Sequence, residues 1–307
     1  MSFSSTAKSE ICRTPIGEDC CQLMELLALL HTAGSISISG QGLALRIDTE
    51  HPAVARRAFQ IIKTLYGASA TMERHTNRLK QNHIYSLRVD AASAQTIALD
   101  THLMDVDGVC QSVRAAAKRS CCSVAFLRGA FLGGGSVTNP ERRYHMEFVC
   151  SQEDFAQELL NIMVQLDVPA KMIARGQSLV VYVKESDAIV TLLTMMGAHT
   201  AILNMENIRI IKGMRNAVNR KVNCDSGNLS KTVNAYLKQV GDIETIRARM
   251  GLDNLSAPLR EMAETRLNLP EATLEELAEA LGASKSTVNH RLRKLGSIAE
   301  QLKNTRG

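Results

Sequence analysis

The chain has no tryptophan, and aromatic residues make up only 4% of its 307 residues. With 45% hydrophobic residues, a sizeable core is affordable, and it is expected to be aliphatic. The opening stretch, Met1 to Pro15, is polar and has no apolar h-region, so no signal peptide is read there. No apolar run reaches the length of a membrane span. The eight cysteines show no C-x-x-C spacing; four of them are the adjacent pairs Cys20–Cys21 and Cys121–Cys122. Neither a disulfide framework nor a zinc site is expected. The thiols read as reduced, mostly buried and acting as small apolar residues, which places the chain in the cytoplasm. The eight histidines are scattered with no i, i+4 pair on a helix, so neither a metal nor another cofactor is expected. No Ser–His–Asp set is visible. The GGGS at 133–136 follows a helix and lacks the Lys–Ser/Thr of a phosphate-binding loop.

The length suits two or three domains. The net charge of +5 is modest, but residues 201–307 hold 17 Lys/Arg against 12 Asp/Glu, which is also +5. The whole excess lies in the last third, a placement that favours an anionic partner for that region.

A weak internal repeat organises the first two thirds. Residues 20–36 read CCQLMELLALLHTAGSI and residues 121–137 read CCSVAFLRGAFLGGGSV, at a constant offset of 101. The offset maps Cys20 on Cys121, Leu26 on Leu127, Gly34 on Gly135 and Ser35 on Ser136. In each copy an apolar helix runs into a small-residue end, Ala33–Gly34–Ser35 or Gly133–Gly134–Gly135, and then into a strand. Small residues let two helix backbones approach closely, so the two copies are expected to pack these helices on each other about a pseudo-twofold axis. Alternation of Leu43, Leu45 and Ile47, and of Tyr144, Met146 and Phe148, predicts a half-buried strand in each copy. Helices are expected over 51–66 and 152–166, strands over 84–89 and 179–183, and closing helices over 91–100 and 186–196.

The last fifty residues read as a helix-turn-helix. Thr273 is an N-cap with Glu276 three residues on, a capping box. Leu274, Leu277, Ala278 and Leu281 share a helical face, and Gly282 ends the helix. Ser284 caps a second helix over 285–295, with Val288, Leu292 and Leu295 inward. An upstream helix over 257–267 supplies Leu259, Met262 and Ala263. The outer face of the second helix carries Lys285, Ser286, Thr287, Asn289, His290, Arg291, Arg293 and Lys294 and no acid. That is the form of a recognition helix: side chains near its start reach base edges, and flanking cations neutralise phosphate. Ser286, Thr287, Asn289 and His290 are the candidates for bases or nearby phosphates, Arg291, Arg293 and Lys294 mainly for the DNA backbone, and Ser284 and Lys285 complete the expected DNA-binding set. Upstream, residues 209–221 hold Arg209, Lys212, Arg215, Arg220 and Lys221 with no acid. Of these, Lys212, Arg215, Arg220 and Lys221 form a candidate second DNA contact. The polar run around Gly227 reads as a turn, and Asp242 as the cap of a helix through Met250.

The segment FLRGAFLGGGSV (126–137) resembles the LAGLIDADG helix of homing endonucleases. In that family an acidic residue just before the final glycine of each copy holds the catalytic metals. The matching positions are Ala33 and Gly134, neither of which can bind a cation; Asp19, Glu25 and Glu141 lie near in sequence but not at that position. Taken with MRNAVNRKVNCDSGNLSKTV (214–233) and LEELAEALGASKSTVNHRLRKL (274–295), the chain resembles the WhiA family over nearly its whole length. The resemblance implies an α+β fold: a duplicated LAGLIDADG-like domain of two αββαββα repeats, catalytically silent, followed by an all-α helix-turn-helix domain. The expected boundaries are 1–110 and 111–205 for the repeats, 206–255 for a basic helical connector and 256–307 for the reader. The implied function is sequence-specific transcription regulation, with roles in cell division, chromosome segregation and sporulation. It implies double-stranded DNA as partner, RNA polymerase or another transcription factor beside it, and a nucleoid location. The rival readings are a division or nucleoid protein with weakly selective DNA binding, and an active homing-type endonuclease.

Overall fold

Each copy of the repeat folds in the order its hydrophobic pattern predicts. The computed structural model describes residues 2–39, 42–77, 82–104, 119–269 and 271–304. The chain divides into two units, Met1–Ile211 and Lys212–Gly307. In the first unit, α1 (Phe3–Ile11) precedes copy one: α2 (Asp19–Ala33), β1 (Gly34–Ser39), β2 (Gly42–Thr49), α3 (Pro52–Tyr66), β3 (Ala70–Asn77), β4 (Asn82–Val89) and α4 (Ala91–Asp100). Copy two follows as α5 (Ser120–Gly134), β5 (Gly135–Val137), β6 (Met146–Cys150), α6 (Glu153–Gln165), β7 (Lys171–Arg175), β8 (Ser178–Val183) and α7 (Ser186–Met196). Both are αββαββα units, and each forms a four-stranded antiparallel sheet of the same topology, β1-β2-β4-β3 and β5-β6-β8-β7. The register repeats too: Gly34 faces Ile47 as Gly135 faces Phe148, and Ile36 faces Leu45 as Val137 faces Met146. The expected boundary at 110/111 lies outside the described residues.

α2 and α5 pack on each other along their length. Gly129 faces the Glu25 carbonyl and the Ala28 side chain, and Gly133 faces Thr32. Through the offset of 101, Gly129 is the equivalent of Ala28 and Gly133 the equivalent of Thr32. Each therefore meets its own counterpart, which is what a pseudo-twofold axis between the two helices requires. A Cβ on Gly129 would overlap the Glu25 carbonyl, so only glycine permits this approach.

The core is less purely aliphatic than composition suggests. Phe126, Phe131, Phe148 and Phe155, four of the six phenylalanines, are among its largest fully buried side chains. All four belong to copy two, where Phe126 stacks on Phe155 at 5.1 Å and Phe131 meets Phe148 edge-on at 5.9 Å. α1 was not legible as a helix from the polarity of its segment. Ser2 caps it, accepting from the Ser5 amide, and Phe3, Ala7 and Ile11 at spacing four line its inner face. Its Glu10 carboxylate accepts the Thr200 and Ala201 amides (2.8 and 2.9 Å) and so caps the helix that begins at His199. Those bonds hold the Glu10 carboxyl below the usual range despite its partial burial.

α8 (His199–Arg249) is one helix of 51 residues, and the division into units falls within it. Neither the turn expected around Gly227 nor a helix start at Asp242 is present. Gly213, Gly227 and Gly241 all lie inside α8. An interior glycine costs about 1 kcal/mol relative to alanine, so it weakens a helix without dictating its end. The carboxylate of Asp242 bonds Lys303 Nζ at 2.8 Å instead of capping. The spacing of Val233 and Leu237 is helical as expected, yet both side chains are exposed.

In the second unit a 3-10 turn (Leu252–Asn254) leads to α9 (Ala257–Asn268), α10 (Leu274–Ala280) and α11 (Lys285–Asn304). Its core joins Ile243 and Ile246 of α8 to Leu259, Met262, Ala263, Leu277, Val288, Leu292, Leu295 and Ala299. Ile243 and Ile246 lie in the stretch read from sequence as connector. No helix among the described residues is long and apolar enough to cross a membrane.

Candidate nucleic-acid interface

The helix-turn-helix is built from its caps and its turn. Thr273 Oγ1 accepts the Glu276 amide, and the Glu276 carboxylate accepts the Thr273 amide at 2.7 Å, closing the capping box. These bonds hold the Glu276 carboxyl below its usual range. Gly282 takes a left-handed φ of 56°, a conformation cheap for glycine alone. The Ala283 amide returns to the Ala278 carbonyl (2.9 Å), which closes the end of α10. Ser284 Oγ accepts the Thr287 amide (3.2 Å) at the start of α11. Val288 is fully buried, with Leu292, Leu295 and Ala299 behind it, so one face of α11 is fixed in the core and the opposite face is free.

The predicted site residues divide three ways. At about 100° per residue, Ser286, His290 and Arg293 lie opposite the buried row, and all three are exposed. Lys285 and Lys294 are also exposed, and Asn289 is half-buried on a flank. Ser284 and Thr287 serve the cap: the Ser284 hydroxyl lies 2.8 Å from both the Ser286 and the Thr287 hydroxyls. Arg291 turns toward α9, 3.8 Å from Glu261 and only 22% exposed. Lys285 pairs with Glu275 of α10 at 2.6 Å, a surface pair that a phosphate could compete for because exposed pairs are weak.

The basic stretch on α8 also divides. Arg209 is committed within the first unit, bonding Asp187 at 2.5 Å with Glu206 at 3.6 Å. Arg215, Arg220 and Lys221 are exposed and Lys212 is half-buried.

The positions that would hold metal in a LAGLIDADG nuclease are the last residues of the paired helices, Ala33 of α2 and Gly134 of α5. Two residues before Gly134, the Leu132 carbonyl accepts Lys8 Nζ of α1 at 3.0 Å. Burial pushes this amine down to about 8. A lysine thus stands at the end of α5, and Asp48 and Glu50 line the same pocket beside Gly133. Glu25 is buried and committed to Arg57, whose Nη2 lies 3.0 Å away, with Arg128 at 3.5 Å. Sequence reading missed this cluster, although a glutamate inside so apolar a helix is its visible sign.

Comparison with known proteins agrees with this layout. The model of the WhiA N-terminal LAGLIDADG-like domain matches residues 19–104, the WhiA LAGLIDADG-like domain residues 123–215, and the WhiA C-terminal helix-turn-helix domain residues 218–299. A relative from Desulforamulus reducens, named probable cell division protein WhiA, is 43% identical over 99% of this chain and 97% of its own. A relative of the same name from Heliobacterium modesticaldum is 44% identical over 98% of this chain and 96% of its own. The crystal structure of a full-length WhiA from Thermatoga maritima superposes with a TM-score of 0.62 at 24% identity, covering 98% of this chain and 99% of that one. With identity above 40% over its whole length and two degenerate LAGLIDADG-like repeats ahead of a helix-turn-helix, the chain belongs to the WhiA family.

Proposed function

We propose that this protein is a transcription regulator that binds double-stranded DNA through α11 and does not cleave it. The observation that carries the reading is the free face of α11: Ser286, His290 and Arg293 project from a helix whose other side is locked in the core, and no acid lies between Lys285 and Leu295. In this reading Ser286, Asn289 and His290 face base edges, while Lys285, Arg293 and Lys294 face phosphates. Ser284 and Thr287 present the amide-rich start of α11 to the backbone. Arg291 reaches DNA by leaving Glu261. Lys212, Arg215, Arg220 and Lys221 supply a second, sequence-independent contact.

The absence of catalysis rests on Ala33 and Gly134, because metal-assisted phosphodiester cleavage needs carboxylates to hold hard cations. The relatives' name directs the regulation to cell division; chromosome segregation, sporulation and a contact with RNA polymerase or another transcription factor complete the proposal. The exposed cations of α8 favour a second reading, a chromosome-organising protein with loose, salt-driven binding.

The test is capture of fragmented genomic DNA at two salt concentrations, with Mg²⁺ present, by the wild type and by Arg293→Ala/Lys294→Ala. The expected result is retention of a few uncut promoter fragments, lost in the variant. Removing two phosphate contacts should lower the log–log salt slope by about 1.8, at about 0.9 per contact. Unselective retention that the variant does not change would transfer the reading to chromosome organisation, and cut DNA would refute the non-catalytic one.

A further inference from the structure

The two adjacent cysteine pairs, 101 residues apart in sequence, meet in the fold. Cys20 and Cys21 lie in the first turn of α2, and Cys121 and Cys122 in the first turn of α5. The pseudo-twofold that packs these helices therefore brings their N-terminal ends together. The Sγ atoms of Cys20, Cys21 and Cys122 all lie within 4.8 Å of one another. Cys121, next to Cys122 in α5, is an electrostatic neighbour of Cys21 and Cys122 but lies outside this group of three sulfurs. All four are free thiols. A spacing rule applied within one segment cannot register such a group, because each copy supplies only half of it.

We propose that Cys20, Cys21, Cys121 and Cys122 form a mononuclear metal site for a thiophilic divalent cation, zinc being the ion that fits. A tetrahedral Zn–S bond of about 2.3 Å puts sulfurs about 3.8 Å apart. The sulfurs of Cys20, Cys21 and Cys122 need only a small contraction, and the exposed Cys121 side chain would join them by rotating inward. Carboxylates and imidazoles are not part of the cluster, so the donor set is soft and excludes Mg²⁺ and Ca²⁺. The charge of a thiolate set is offset locally. Arg119 Nη1 lies 3.8 Å from Cys20 Sγ, and the positive ends of the α2 and α5 dipoles point at the sulfurs. Cys122 is buried, Cys20 and Cys21 are half-buried and Cys121 is exposed, which gives the ion a path from solvent. On binding, each thiol forms a bond to the metal and releases its proton to solvent, with no electron transfer. The ion would staple the two repeats at the end of the helix pair opposite to Ala33 and Gly134, and so is distinct from the degenerate nuclease positions.

The test uses the full chain, purified under reducing conditions, stripped with chelator and titrated with Co²⁺ and then Zn²⁺. We expect one Co²⁺ per chain, with intense tetrahedral absorption and a thiolate-to-cobalt charge-transfer band, both displaced by Zn²⁺. Cys20→Ser and Cys122→Ser should weaken Zn²⁺ binding by roughly 100-fold or more, since losing an outer-shell partner already costs 10–100-fold. The Cys224→Ser variant, on exposed α8, should bind as the wild type does. Because Cys121 is exposed, Cys121→Ser keeps the fold and tests the fourth ligand alone; it should weaken the charge-transfer band. Zn²⁺ should raise the melting temperature of the wild type and not of Cys20→Ser. The proposal is overturned by octahedral, weakly absorbing cobalt, by binding unchanged in Cys20→Ser, by iron with inorganic sulfide in the purified chain, or by a disulfide between the copies with no metal bound.

Discussion

The two repeats share a topology, a register and a helix-end motif, yet they hold their cores by different physics. In copy one a glutamate stands at position 25; the equivalent position in copy two is Phe126. Glu25 binds Arg57, whose Nη1 also donates to the Thr14 carbonyl at 2.7 Å and the Cys12 carbonyl at 3.3 Å, while Phe126 stacks on Phe155. The counterpart of Phe155 in copy one is Val54, and the counterpart of His31 in copy two is Leu132. A duplicated fold thus tolerates a polar solution in one half and an aromatic one in the other, provided the buried ions find partners. What the halves cannot exchange is the geometry of their crossing, where each helix meets its own equivalent residue and one member of the pair is glycine.

The comparison predicts its largest effect at Glu25. Glu25→Ala leaves the Arg57 guanidinium buried without its carboxylate partner and should cost about 3–5 kcal/mol in denaturant unfolding. The double variant Glu25→Leu/Arg57→Leu, which carries copy one toward the apolar state of copy two, should recover most of that loss. If the double is as unstable as the single, the decisive contribution of Arg57 is its tie to the Cys12 and Thr14 carbonyls, and the two halves are less interchangeable than their topology suggests.

The crossing gives the next effect. Gly129→Ala pushes a methyl into the Glu25 carbonyl and should cost about 1–3 kcal/mol by overpacking. Its symmetry mate Ala28→Gly removes a methyl without a clash and should cost about 1 kcal/mol through helix propensity. Equal losses from the two would mean that the helices slide to accommodate the methyl and that the axis is not fixed at this pair.

Much of this was legible in sequence, and the parts that were not share a cause. The repeat, its helices and strands, the capping box at Thr273 and the inward row of Val288, Leu292 and Leu295 are local patterns, and local periodicity is what a sequence displays. The partner of Glu25 lies 32 residues away and the counterparts of Cys20 and Cys21 about 100, so pattern along the chain cannot pair them. α8 misled for a different reason: its glycines and Asp242 resemble breakers, yet all of them lie inside one continuous helix. In the candidate DNA interface, sequence placed the cations on α11, but it could not tell that Arg291 faces Glu261 or that the Ser284 and Thr287 hydroxyls meet each other.

His31 supplies the smallest and most specific effect. Its ring stacks on Phe155 at 5.4 Å, with Nε2 3.0 Å from the Thr101 carbonyl and Nδ1 2.9 Å from the Gln152 side-chain oxygen. It thereby ties copy one to the aromatic core of copy two. Burial holds this imidazole below the ordinary histidine range, against the raising effect of its two hydrogen bonds. The unfolded chain therefore takes up a proton at a higher pH than the folded one, and stability rises with pH wherever the unfolded state binds more protons. The contribution of His31 is present above the ordinary histidine pKa of about 6.5 and is lost as pH falls from there through the lower folded value. Unfolding measured from neutral pH down into the acid range should show this decline in the wild type. It should be flatter in His31→Leu, which installs the residue that copy two already carries at the equivalent place. An unchanged pH profile in His31→Leu would assign the acid sensitivity to other groups and leave the stacked ring as a packing element alone.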